Sequence, residues 1–210
     1  MNKVLHILTK TLSILLYPLW MPTYGMVLFC AVLTRYMTIS VTRFWLITCL
    51  GTFLFTALIP LLLIAYEMRH KRVTDWYITD GKERFWPYLY TCFGFGLWTY
   101  MLYTLFPTLR FMFWIALGAT LSLVIVTIVN RWWKISAHLT GWGGLIGGIA
   151  AYSLYYGIWP LGSLIGLSIV ALLLMYARLY EKAHTPEQVV AGFLLGLTCT
   201  FVPNLIIYHV

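Results

Sequence analysis

Long apolar segments, separated by short polar ones, constrain the fold of this chain more than any other feature of its sequence. Of its 210 residues, 61% are hydrophobic and only 10% are charged. About 20 consecutive apolar residues suffice to cross a bilayer as a helix. The sequence therefore predicts an all-α fold, a polytopic bundle of about six to seven transmembrane helices in which residues 1–210 form one integral membrane domain. The apolar segments are 11–33, 44–66, 88–106, 111–129, 143–158, 161–177 and 189–208.

Prolines and glycines predict how these helices bend and pack. The first segment contains Pro18 and Pro22, so we expect its helix to be kinked or interrupted. We expect Trp159-Pro160 to form the turn between the fifth and sixth segments. Pairs of glycines four residues apart let helix backbones approach closely. These pairs are Gly143 with Gly147, Gly144 with Gly148, Gly162 with Gly166, and Gly192 with Gly196.

Polar residues collect in three clusters, residues 67–87, 130–144 and 178–192. Two apolar segments separate each cluster from the next, and an even number of crossings returns a chain to the same face of the membrane. The clusters are therefore predicted to meet on one side. The basic residues and histidines that this brings together are Lys82, Arg84, Lys134, His138, Arg178 and His184.

Two histidines among several cations are suited to phosphate chemistry. The cations can neutralise phosphate oxygens and stabilise the charge of a transition state. One histidine can attack phosphorus, and the other can protonate the leaving oxygen. Only six residues are Asp or Glu, too few to favour a carboxylate metal site, and no glycine-rich phosphate loop or nucleic-acid motif is present. We therefore expect no metal, no cofactor and no nucleic-acid partner.

The stretch Thr185–Gln188 has the pattern of a helix start. Thr185 is suited to the N-cap, Pro186 to the first helical position, and Gln188 completes a capping box. His184 then lies at the start of the last helix, where backbone N–H groups favour an anion. Arg178 is expected at the end of the preceding helix, across a short loop. Gln188 can therefore serve as a helix cap.

Three short stretches resemble the signatures of the type 2 phosphatidic acid phosphatase superfamily. Arg178–Gly192 resembles the third signature, SRxxxxxHxxxDVxxG, in the spacing of its arginine, histidine and glycine. Ile135–His138, with the sequence ISAH, resembles the second signature, PSGH. Asp80–Pro87 resembles a compressed form of the first, KxxxxxxRP. The resemblance covers residues 80–192, which is the expected phosphatase-like core.

The resemblance implies a membrane lipid phosphatase that works through a phosphohistidine. His184 is then the nucleophile and His138 the general acid. The implied phosphate-binding groups are Arg178, Lys82, Arg84, Ser136 and the backbone N–H of Ala137; Lys134 is a further candidate from its position alone. Substrates in the superfamily include undecaprenyl pyrophosphate, phosphatidylglycerophosphate, phosphatidic acid and lipid A phosphates. The implied partners are such a lipid phosphate and the surrounding bilayer lipids.

The chain departs from the superfamily pattern at several positions. Gln188 stands where the pattern has an Asp that orients the nucleophile and stabilises its imidazolium. A Gln oxygen can accept the same hydrogen bond but carries no charge, so the resemblance leaves Gln188 as a helix cap, as an orienting partner of His184, or as each in turn. Ala177 replaces the Ser of the third signature, and Ile135 and Ala137 replace Pro and Gly of the second. The alternatives are therefore a catalytically silent phosphatase fold that binds a lipid or protein partner, or a small anion or lipid transporter.

Interface anchoring is the other interpretation of the basic residues. Lys134 follows two tryptophans and fits an aromatic belt, while Lys82 and Arg84 fit anchors for anionic lipid. The positive-inside rule favours a cytoplasmic location for the clusters, by eleven Lys and Arg to three, and the short loops fit a bacterial plasma membrane. The eleven are Lys3, Lys10, Arg69, Lys71, Arg72, Lys82, Arg84, Arg131, Lys134, Arg178 and Lys182; the three are Arg35, Arg43 and Arg110.

Overall fold

The computed structural model describes residues 3–37, 42–76, 78, 80–157 and 160–208. Within these ranges the regular secondary structure is entirely helical. The α-helices are α1 (Lys3–Leu15), α2 (Met21–Met37), α3 (Thr42–Phe53), α4 (Ile59–Arg69), α5 (Phe85–Leu105), α6 (Arg110–Val129), α7 (Ala137–Tyr156), α8 (Leu161–Tyr180) and α9 (Pro186–Tyr208).

The apolar segments predicted from the sequence correspond to these helices, which confirms the all-α prediction for the described residues. Five helical stretches in that part of the chain are long and apolar enough to cross a membrane: Lys3–Ala31, Arg43–Arg69, Arg110–Val129, Leu161–Tyr180 and Pro186–Ile206. Helices α5 and α7 have 21 and 20 residues. Tyrosine and tryptophan in α5, and glycine in α7, lower their mean hydropathy. The protein is a helical bundle suited to a membrane, and six to seven crossings stay a prediction.

Prolines shape the first two apolar segments. A 3₁₀ turn, Pro18–Trp20, separates α1 from α2, and Tyr17 before it is extended, as a residue preceding proline prefers. The predicted interruption is therefore confirmed at Pro18. Between α3 and α4 the helix widens into a π-helical stretch, Leu54–Leu58. Pro60 follows it and has no N–H to continue the α-helical ladder, which accounts for this local change.

Helix α7 lies at the centre of the bundle, packed against α2, α6, α8 and α9. Its contact with α9 is so close that glycine is required. A Cβ at Gly143 would lie 2.0 Å from the Phe193 carbonyl oxygen, and one at Gly196 would lie 1.9 Å from the Thr140 carbonyl oxygen. Close packing at these glycines is confirmed, and it fixes the first residues of α7 beside the first residues of α9.

The prediction of close packing is wrong for Gly162 and Gly166 in α8. Among the described residues, nothing lies within 4 Å of a Cβ built at either position. The spacing of the pair is the same as in α7, but the pair faces away from the helices that α8 packs against.

The connection between α7 and α8 is described only in part. Gly157 ends α7 in the left-handed conformation, with φ of 64°, and α8 begins after Pro160. Trp159 of the predicted turn lies outside the described residues.

Candidate functional site

A tight turn joins Arg178 to His184. The N–H of Ala183 donates to the carbonyl of Arg178 at 3.1 Å, and Lys182 adopts a positive φ of 51°. This is the geometry of a Schellman motif, which ends α8 and reverses the chain. Helix α9 then begins at Pro186, as predicted. The turn places the arginine and the histidine at the same end of the bundle.

Nδ1 of His184 lies within hydrogen-bond distance of two oxygens. These are the carbonyl oxygen of Lys134 at 3.1 Å and Oε1 of Gln188 at 3.2 Å. Both oxygens can only accept, so Nδ1 carries the proton and donates to them. In the neutral ring the lone pair is then on Nε2, which is the nitrogen that could act as a nucleophile.

The Gln188 side chain has two roles at once. Its Oε1 also accepts the backbone N–H of Thr185 at 3.2 Å, which completes one half of the predicted capping box. Two donors converge on this one oxygen, and they define which way the amide is turned. The alternatives of helix cap and partner of His184 are therefore both realised in the same conformation.

The site collects positive charge in a half-buried setting. Burial, and after it the Arg178 cation, lowers the pKa of His184 to about 4. Burial, followed by the cations of Arg84 and Arg178, also lowers the pKa of Lys134, while Asp75 acts in the opposite direction. His184 is therefore neutral at pH 7, the form in which an imidazole can attack an electrophile.

Arg84 is 6% exposed and is held by two neutral oxygens. Its Nε donates to the carbonyl of Ile78 at 2.8 Å, and Nη1 donates to Oδ1 of Asn130 at 3.1 Å. Placing a guanidinium in so buried a position is costly unless its charge is compensated. Burial favours an anion-binding role for Arg84 over that of an interfacial anchor, because an anchor extends into the headgroup layer.

His138 is 6% exposed at the start of α7. Its Nε2 lies 3.2 Å from the carbonyl oxygen of Ser13, and the ring of Tyr17 meets it edge-on with centroids 5.6 Å apart. Arg178 and His184 lie near enough to act on it electrostatically. The structure thus brings both predicted histidines and the predicted arginines into one neighbourhood.

The predicted phosphate ligands at the remaining positions are placed differently. Lys82 has an exposed side chain, and none of the described contacts joins that side chain to the cluster; its backbone N–H donates to Asp80. Ser136 is fully buried, and its Oγ accepts the N–H of Leu139 at 3.5 Å as the cap of α7. Ala137 is the first residue of α7, so its N–H is among those that a helix leaves unpaired at its start.

The two loops that carry the histidines are tied together through the backbone. The N–H of Ser136 donates to the carbonyl of Gln188 at 3.2 Å. A Cβ at Gly192 would lie 2.6 Å from the Ser136 carbonyl oxygen, so glycine is required for this approach as well. The glycine of the third sequence stretch therefore positions the second stretch.

Sequence reasoning missed the contacts of His138 with Ser13 and Tyr17. The signal that could have found them is a stripe of polar residues, His6, Thr9 and Ser13, at helical spacing in an otherwise apolar helix. In an apolar environment such a stripe marks the face that packs on protein. Asn130, the partner of Arg84, gave no comparable signal.

Two openings lie at this end of the bundle. Toward the surface, a pocket is lined by Lys134, Lys182, His184, Thr185 and Gln188. Toward the membrane interior, a partly open cavity lies between α2, α3, α5, α6 and α7 and has a mostly apolar lining. Ala137 and Thr140 line this cavity, so one end of it lies at the first turn of α7. Within the described residues, no three His, Cys, Asp or Glu side chains could jointly hold a metal ion.

Comparison with known proteins adds no relative: no family model matches this sequence, and no curated protein and no solved structure does so either.

Proposed function

We propose that this protein is an integral membrane phosphatase that hydrolyses a lipid phosphate or lipid pyrophosphate through a phosphohistidine. The observation that carries the proposal is the hydrogen bonding of His184. Its Nδ1–H is held by Lys134 and Gln188, so the lone pair is on Nε2 in a ring that is neutral at pH 7. A nucleophile fixed in one tautomer beside Arg178 is the arrangement that attack on a phosphate requires.

The proposed reaction has two steps. Nε2 of His184 attacks phosphorus, the bond from phosphorus to the lipid oxygen breaks, and His138 gives its proton to the leaving alkoxide. His138, now neutral, then takes a proton from water, and the resulting hydroxide displaces His184 from phosphorus to release phosphate. Arg84, Arg178 and Lys134 stabilise the charge on the phosphate oxygens in both steps.

The apolar cavity favours a lipid over a soluble phosphate ester. It is lined by Ala137 at the site and by Leu102 and Met112 deeper in the bundle. From Ala137 to Gly148, both of which line it, α7 rises about 17 Å, more than half of a hydrocarbon core of about 30 Å. A hydrocarbon chain can occupy this space while its phosphate lies among the cations. Undecaprenyl pyrophosphate, phosphatidylglycerophosphate and phosphatidic acid represent the substrate types.

A silent lipid-binding protein is the second candidate, and Gln188 favours it. The imidazolium that develops on His184 during turnover is next to a neutral oxygen rather than a carboxylate. In serine proteases, loss of the analogous carboxylate costs about 10⁴ in kcat. In this chain the Lys134 carbonyl also holds Nδ1, so the tautomer does not depend on Gln188 alone.

We place the protein in a bacterial plasma membrane as a multi-pass protein of six to seven crossings. More Lys and Arg residues lie at the end of the bundle that carries the candidate site than at the opposite end, even when the proposed phosphate ligands are left out of the count. By the positive-inside rule, this excess favours a cytoplasmic site.

The test is phosphate release by the purified protein in detergent, without added metal. Substrates are the three lipid types and a soluble aryl phosphate. His184→Ala is compared with His70→Ala, because His70 is an exposed histidine that bonds only its own helix, at the Tyr66 carbonyl, in the contacts described. Release that disappears in His184→Ala and persists in His70→Ala supports the phosphatase.

Two further arms separate the alternatives. Ala119→Phe fills part of the apolar cavity, and we expect it to slow release from lipids more than from the soluble ester. Binding of a lipid phosphate without release indicates the silent protein. Movement of a labelled lipid or anion across proteoliposomes without hydrolysis indicates the transporter.

A further inference from the structure

Helix α1 presents its polar side to the protein and its apolar side outward. Thr9 and Ser13 are buried, whereas Ile7, Leu8 and Leu15 are more than half exposed. A helix on a water-soluble protein has the opposite arrangement. The outer face of α1 is therefore suited to contact with lipid, and its polar face is directed at protein groups near the site.

Glu181 holds one part of this polar face. Its Oε1 accepts a hydrogen bond from the Thr9 hydroxyl and lies 2.9 Å from Nδ1 of His6. Glu181 is the C-cap residue directly after α8, three positions after Arg178. The helix end that supplies a proposed phosphate ligand thus also fastens α1.

Ser13, one turn further along α1, contacts the proposed general acid. Its carbonyl oxygen lies 3.2 Å from Nε2 of His138, and a carbonyl can only accept. Nε2 of His138 therefore carries a proton and donates it to Ser13. The nitrogen left to exchange a proton with substrate and water is Nδ1, in both the neutral and the cationic ring.

We infer that α1 is a positioning element for catalysis: its Ser13 carbonyl holds His138 in one tautomer, and Glu181 holds α1 where it can do so. This inference rests on the proposed function, in which His138 is the general acid. An acid that also serves as the base of the second step must present the same nitrogen both times. A backbone carbonyl that accepts from the opposite nitrogen enforces this, as partners of catalytic histidines do elsewhere.

Three variants test the role of Glu181 without touching either histidine. Glu181→Ala removes both contacts of Glu181 with α1, Thr9→Val removes the hydrogen bond from the Thr9 hydroxyl and leaves the contact with His6, and Glu181→Gln keeps an oxygen that can accept from Thr9. Lys10→Ala is the matched control, because Lys10 is the exposed neighbour of Thr9 on the same helix. We expect kcat to fall on the order of 10- to 100-fold in the first two, because misplaced catalytic groups cost rates of that size. KM should stay the same in all of these variants. The kcat of Glu181→Gln should be close to that of the wild type, and the kcat of Lys10→Ala should equal it.

A second readout does not depend on turnover. Diethyl pyrocarbonate modifies accessible neutral imidazoles, and the rate at His138 can be followed by peptide mass spectrometry. We expect slow modification in the wild type and in Lys10→Ala, and a several-fold faster rate in Glu181→Ala and Thr9→Val.

The outcomes separate this inference from the proposed function. A rise in kcat on loss of Glu181 would overturn the inference about α1, since α1 would then obstruct the site. Equal modification rates in Glu181→Ala and wild type would also overturn it. If the wild type releases no phosphate, the proposed function fails. Faster modification in Glu181→Ala would then still support α1 as the element that holds His138.

Discussion

Nδ1 of His184 donates to Oε1 of Gln188 across 3.2 Å, and the same oxygen accepts the N–H of Thr185. A neutral oxygen can thus fix the tautomer of the histidine and cap α9 together. What it does not supply is a negative charge next to the ring. The chemistry of this position can therefore be altered by charge alone, with little change in shape.

Replacing Gln188 by Glu adds that charge in a side chain of nearly the same size. Under the proposed function we expect a higher kcat, because a carboxylate stabilises the imidazolium that develops as Nε2 attacks. Gln188→Leu removes the acceptor, and we expect a loss on the order of 10-fold or more, as for an orienting partner of a catalytic group. Single-turnover phosphate release measures both. A Gln188→Leu variant as fast as the wild type would contradict an orienting role.

The pH dependence follows from the lowered pKa of His184. Its ordinary value is about 6.5, so a ring with a pKa of about 4 remains neutral over most of the mildly acidic range. We expect the acid limb of kcat/KM that His184 sets to lie near pH 4, so that this limb does not lower kcat/KM at pH 6. A separate alkaline limb belongs to His138, which must carry a second proton in the first step. The measurement is kcat/KM between about pH 3.5 and 8, a range that includes both the lowered and the ordinary pKa of a histidine.

The Gln188→Glu variant provides the control for this profile. A carboxylate beside the ring favours the imidazolium, so it should move the acid limb to higher pH. A limb near pH 6.5 in the wild type would show that His184 titrates as if exposed to water.

Arg84 and Lys82 make a matched pair of nearby cations with different surroundings. Arg84 is buried and bonded to Ile78 and Asn130, while the side chain of Lys82 is exposed. We expect Arg84→Gln to weaken vanadate binding by about 10- to 100-fold, as for loss of a charged hydrogen bond. Lys82→Gln should change it little, because an exposed charge is screened. Isothermal titration calorimetry with vanadate measures the affinity of both variants. An equal loss of affinity in Lys82→Gln would indicate that Lys82 also binds the phosphate.

The glycine contact between α7 and α9 predicts opposite effects of the same substitution at two positions. In Gly196→Ala the new methyl would lie 1.9 Å from the Thr140 carbonyl oxygen, so the helices must separate. We expect a lower Tm, because overpacking of this kind reduces the free energy of unfolding by about 1–3 kcal/mol. In Gly166→Ala the new methyl has no neighbour within 4 Å among the described residues. The higher helix propensity of alanine should then raise the free energy of unfolding by up to about 1 kcal/mol. Thermal unfolding in detergent measures both, and a neutral Gly196→Ala would contradict the close approach.

The turn and cap residues around the site could be predicted from the sequence because their signals are local. Pro186 begins α9 and Gln188 completes its cap, and both preferences belong to the first turn of any helix. The interruption at Pro18 has the same local origin, since proline restricts the residue before it. The convergence of the histidines follows from counting apolar segments, because each crossing exchanges one face of a membrane for the other.

The sequence by itself thus determined an apolar helical bundle and the end of it where the polar residues gather. Only the tertiary structure decided which of them meet. Gly162 and Gly166 have the spacing of Gly192 and Gly196, but the rotation of each helix about its axis determines which glycines face a neighbour. The separation of Arg84 from Lys82, and the contact of Ser13 with His138, depend on how elements distant in the chain pack. Such packing minimises free energy over the whole molecule, and no local pattern specifies it.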